Sequence, residues 1–76
     1  MKLVKVSETW WVTVFADIDS ARRFPVYVVD RPVCDYCRRN RADYILKGKC
    51  VAKIADHERE TVVYLCEKCF SELSTV

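Results

Sequence analysis

The sequence predicts an α+β fold, mostly β, in a single small domain of residues 1–76. Three observations predict it. β-branched and aromatic residues recur in short alternating stretches over most of the chain, as half-buried strands require. Helical spacing appears only at the C-terminal end, where Cys69, Phe70 and Leu73 share one face. Four of the five cysteines form two C-x2-C pairs, and a 76-residue core of this size needs such a cross-link.

The elements follow in order. Lys2–Ser7 alternates Leu3 and Lys5 against Val4 and Val6, and reads as a strand. Trp10–Phe15 reads as a second strand, which lets only one of Trp10 and Trp11 face the core. Asp17–Ser20 has the Asp and Ser content of a loop. Phe24–Val29 reads as a third strand, with Pro25 at an edge or near its start. Pro32 ends it just before a knuckle at Cys34. Ala42–Leu46 and Cys50–Ala55 read as a hairpin turning at Lys47-Gly48-Lys49, the only glycine in the chain. Asp56–Glu60 is a charged turn and Thr61–Leu65 a strand. A short helix follows Cys66, with Glu67 placed favourably at its positive end. Residues 1–32 are thus a β-rich extension, and residues 33–76 carry the cysteines.

Composition narrows the class. The chain is 51% hydrophobic and 32% charged, which excludes a disordered or low-complexity polymer. No apolar run reaches the ~20 residues of a membrane span. Met1-Lys2-Leu3-Val4-Lys5 lacks the apolar stretch of a signal peptide, so a cytoplasmic protein without a membrane partner is expected. Abundant charge with no Gln and a single Asn matches the composition of thermophile proteins. No Ser/His/Asp set, open metal site or paired carboxylates are visible, so neither an enzyme nor a small-molecule substrate is expected.

Cys34 and Cys37 are separated from Cys66 and Cys69 by 28 residues. Each C-x2-C turn aims two sulfurs at one point, and two turns supply the tetrahedral four-thiolate set that Zn²⁺ accepts. One structural Zn²⁺ on Cys34, Cys37, Cys66 and Cys69 is the reading taken. Disulfides and a redox pair are the alternatives. The first closes very short loops of low stabilising value, and the second lacks the βαβ pattern that accompanies it. Cys50 falls mid-strand and reads as a small buried hydrophobe. His57 reads as a solvated turn residue.

The segments Cys34-Asp35-Tyr36-Cys37, Ala42 to Gly48 and Val63-Tyr64-Leu65-Cys66-Glu67-Lys68-Cys69-Phe70 together resemble a treble-clef zinc finger. They are most similar to the small N-terminal zinc domain of the Clp protease unfoldase subunit. The likeness covers Cys34 to Leu73, about half of the chain. It implies a knuckle that gives two ligands, a helix start that gives two more, and a binding module for nucleic acid or protein. Arg38 stands where that family often has glycine, and the spacer is longer.

Charge is uneven. Residues 31–53 carry a net +5, residues 1–30 a net zero, and residues 54–76 a net −3. Arg38, Arg39, Arg41, Lys47, Lys49 and Lys53 therefore read as a face for DNA or RNA phosphates, with Tyr36 and Tyr44 placed to stack on bases. The leading expectation is a nucleic-acid-binding regulatory protein. The alternative is a protein-interaction or adaptor module, or a homodimer, using Trp10 or Trp11.

Overall fold

Alternating residues at the N-terminus form a hairpin of β1 (Leu3–Glu8) and β2 (Val12–Asp17). The computed structural model describes residues 2–74. β2 runs into a single 3-10 turn, Ile18–Ser20, where the Asp17 carboxylate accepts from the Asp19 N–H at 3.1 Å. β3 is only Arg22–Arg23. A long connection carrying the knuckle leads to β4 (Tyr44–Ala52), β5 (Glu58–Leu65) and α1 (Glu67–Ser74).

β4 organises the five-stranded antiparallel sheet. On one side it pairs with β2 through Gly48–Ala52 and with β3 through Tyr44 and Ile45. On the other it pairs with β5 along nearly its whole length. The first thirty residues and the cysteine-bearing half thus share one sheet. Its inner face buries Val6, Ala16, Leu46, Val63 and Leu65 against Cys34, Cys66 and Cys69. α1 closes this face by stacking Phe70 on Tyr44 at 4.2 Å between ring centres, with Leu73 packed beside it.

Four readings of the sequence need correction. Gly48 is not a turn: it lies mid-β4, paired with Ala16 and Thr61. An added Cβ there would meet the Phe15 carbonyl oxygen at 2.4 Å, so close approach of strands explains the glycine. The hairpin instead turns at Lys53–His57, where the Ala52 N–H bonds the His57 carbonyl at 3.0 Å. Phe24–Val29 is not a strand. Pro25 starts a turn closed by the Val28 N–H, and Val26 and Val29 project into solvent because no neighbouring strand receives them. Trp10 and Trp11 lie in the β1–β2 turn rather than in β2, and both are exposed. The Thr9 hydroxyl accepts from the Val12 N–H and sets that turn. Finally, Tyr44 belongs to the core beneath Phe70, with the Arg23 guanidinium 5.5 Å above its ring, and is not presented to bases.

Candidate metal centre

The knuckle is a short loop closed upon itself. Val33 bridges Arg41, the Cys34 N–H donates to the Asn40 carbonyl at 2.8 Å, and the Arg38 N–H donates to the Cys34 carbonyl at 3.0 Å. To close, the chain turns left-handed at Arg38, with φ of 57°. That conformation costs an L side chain ~1–2 kcal/mol. Arg38→Gly is expected to raise the melting temperature by several degrees, corresponding to about 1 kcal/mol, and Arg38→Val to lower it. Thermal unfolding of the two variants beside the parent checks both signs.

The second pair comes from the β5–α1 junction. Cys66 links the strand to the helix and Cys69 lies in the first turn of the helix. Two aspartates hold this junction onto the knuckle. The Asp35 N–H donates to the Tyr64 carbonyl at 2.7 Å, and its carboxylate accepts from the Tyr64 N–H at 2.7 Å. The Asp43 carboxylate accepts from the Glu67 N–H at 2.9 Å and from Arg31 Nη1 at 3.1 Å. Asp43 thereby caps α1 from the residue just before β4, since the residue at the usual capping position, Cys66, aims its sulfur at the cluster.

The four sulfurs of Cys34, Cys37, Cys66 and Cys69 lie within 4.8 Å of one another, and Cys37 and Cys66 are 3.9 Å apart. A tetrahedral metal with ~2.3 Å bonds to sulfur sets its ligands about 3.8 Å apart. All five cysteines are unpaired, so the disulfide alternative finds no place in this structure. Cys34, Cys66 and Cys69 are buried and Cys37 is half-buried. Asn40 Nδ2 points at Cys66 Sγ from 3.9 Å. The Asn40 and Arg39 backbone N–H groups, bonded to the Cys37 sulfur, bring its thiol down to about 6. Burial pushes the Cys69 thiol far up, and its three sulfur neighbours add to the shift. Four sulfurs gathered at this spacing, in part buried, fit a thiophilic metal ion, whose charge would let all four bind as thiolates. Cys50 and His57 lie outside the cluster, as expected.

The six basic residues do not share one face. Arg38 and Arg39 are exposed on the knuckle and make no ion pair among the described residues. Arg41 Nη1 donates to the Arg31 carbonyl at 3.0 Å. Lys47 and Lys49 project from the outer face of β4, where Lys49 meets Glu58 at 3.6 Å. Lys53 lies at the far end, 2.7 Å from Glu8. Together with Lys5, Lys53 holds the Glu8 carboxyl down at about 2. Asp35, Asp43 and Asn40 are the site residues that sequence reasoning missed. The bonds that tie them to the β5–α1 junction, to Tyr64, Glu67 and Cys66, span more than twenty positions, and no local pattern marks them.

No described helix is long and apolar enough to cross a membrane. No protein family, curated protein or solved structure compared with this chain matches it.

Proposed function

We propose that this chain is an interaction module, held together by one structural Zn²⁺, that binds a partner protein through the apolar tips of its sheet. The observation that carries the reading is the Trp10–Trp11 pair. Trp10 and Trp11 are 67% and 55% exposed, and their rings stack with centres 3.7 Å apart. Ile54, on the neighbouring hairpin tip, is 81% exposed, and the Lys53 N–H donates to the Trp11 carbonyl at 2.8 Å. Two tips therefore present one apolar patch, and tryptophan dominates binding energy where proteins meet. The order knuckle, hairpin, helix supports the treble-clef resemblance. Four cysteine ligands leave the metal no position for water, which supports a structural and not a catalytic role. The test is recovery of the tagged chain from its native cells, followed by reconstitution with the purified partner. Trp10→Ala with Trp11→Ala should weaken the reconstituted complex at least thirtyfold, about 2 kcal/mol. Unchanged affinity sinks the reading. If the recovered partner is the chain itself, sedimentation should show a dimer that the double variant loses.

Nucleic-acid binding is the second reading, favoured by Arg38 and Arg39. Neither makes an ion pair among the described residues, and Arg39 lines a cleft with Tyr36, which is 47% exposed, and Lys68. Arg41, Lys49 and Lys53 already have partners, which reduces the phosphate-binding set. Binding to DNA and RNA over a salt series decides it. Arg38→Ala with Arg39→Ala should flatten the salt slope by about two units and leave metal content unchanged. No salt-sensitive binding by the parent protein at low ionic strength rejects it.

A further inference from the structure

Beside the two-residue β3, the sheet has two long edge strands, β1 and β5, and they differ. β1 carries a bulge between Lys5 and Ser7, a device that blunts an edge. β5 is regular from Glu58 to Leu65. The Tyr64 N–H and C=O both face away from β4 and are taken by Asp35. By the two-residue period of a strand, the N–H and C=O groups of Glu58, Glu60 and Val62 face the same way. They have no partner among the described residues. Asp35 exchanges bonds with Tyr64 in both directions, its backbone N–H donating and its carboxylate taking the place that a backbone carbonyl holds in an antiparallel rung. It fills the first position of a sixth strand and leaves the next ones open.

The side chains along that edge set the chemistry of an occupant. Val62 is 49% exposed on the outer face, and Glu60 and Glu58 follow it on the same side. Val62 and Glu60 form one wall of a 370 Å³ groove across the outer face, with Lys47 and Lys49 on its floor and Leu3 at its far side. A second copy of β5 fits poorly. Two-fold pairing centred on Glu60 sets Glu60 against Glu60, and pairing centred on Thr61 sets each Glu60 against Val62, with no cation beside it, and loses its outer Glu58–Tyr64 rungs to Asp35. The edge therefore suits a strand of a different protein.

We propose that the outer edge of β5 binds an extended segment of a partner protein as an added antiparallel strand, with an apolar side chain beside Val62 and Lys or Arg beside Glu60. Backbone bonds at Glu60 and Val62 supply the attachment, and the side chains at alternate positions supply the selection. This surface is distinct from the Trp10–Trp11 tip and stands or falls without it.

The experiment pans a phage-displayed library of random 12-residue peptides on the zinc-loaded protein. Enriched peptides should share an apolar residue followed two positions later by Lys or Arg. Their binding should slow hydrogen exchange at the Glu60 and Val62 amides. Val62→Pro removes an outward N–H without touching the bonds to β4, so it should keep metal and circular dichroism while weakening the peptides at least tenfold. Glu60→Lys should shift enrichment to Asp or Glu at the paired position, and it keeps the test decisive should the proline variant misfold. Trp10→Ala with Trp11→Ala should leave peptide binding unchanged. Failure to enrich any peptide, or peptides equally well bound by Glu60→Lys and Val62→Pro, overturns the proposal.

Discussion

Cys66→Ser is expected to release the metal and unfold the knuckle together with α1. The energetic comparison is one-sided. Zinc on thiolates in small fingers contributes an apparent ~10–16 kcal/mol, whereas a whole small domain is stable by ~5–15 kcal/mol. Cys66 is 2% exposed and joins β5 to α1, so its loss removes a ligand and loosens the packing that Asp35 and Asp43 organise. Cys50→Ser should behave differently. Cys50 faces Val14 and Arg59 across the sheet, half-buried and outside the sulfur cluster. Its replacement should keep metal stoichiometry at one and cost about 1 kcal/mol. Metal analysis with circular dichroism separates the two, and a reversal of their behaviour would overturn the ligand assignment. Acid should act like Cys66→Ser. Each thiolate must lose its proton to bind, so protons compete with the metal as pH falls and affinity drops steeply.

Gly48→Ala is expected to be the most damaging substitution away from the cysteines. The new methyl would lie 2.4 Å from the Phe15 carbonyl oxygen and 2.6 Å from Val63 Cγ2. The first of these is backbone in a paired strand and cannot rotate aside, and Val63 is fully buried. Overpacking of this kind costs about 3 kcal/mol, which lowers the melting temperature of a domain this size by roughly 15 °C. Thermal unfolding of the metal-loaded variant reads the shift. A change under about 2 °C would mean that β2 and β4 separate more easily than their pairing implies.

That same glycine shows where sequence reasoning loses its hold. A lone Gly between two lysines carries the local signature of a turn, and only the approach of β2 reveals it as strand. Phe24–Val29 has strand-forming residues but no neighbour to pair with, since β2 and β3 already cover that side of β4. Trp10 and Trp11 look like strand interior until the Thr9 hydroxyl is seen to fix a turn there. The cysteine cluster and the C-terminal helix were legible because their signals are local, a two-residue gap in one case and a helical repeat in the other. The basic block was contiguous along the chain. On the fold, the nine residues of β4 carry its members toward opposite ends of the sheet.

The position of the β4–β5 hairpin has a consequence for the order of assembly. The interval between Cys37 and Cys66 holds that hairpin, and its last rung pairs Tyr44 with Leu65, next to the second cysteine pair. Zippering of a hairpin takes ~1–10 μs and needs no distant contact. It delivers Cys66 and Cys69 to the knuckle before any metal arrives, so the ion closes a gap that is already short. The β1–β2 hairpin, by contrast, reaches β4 only by closing the long connection through residues 24–43. Holding the knuckle fixed by metal shortens the free part of that connection and lowers its closure entropy. Refolding should therefore run faster with zinc present than in its absence, with metal capture ahead of the docking of the N-terminal hairpin.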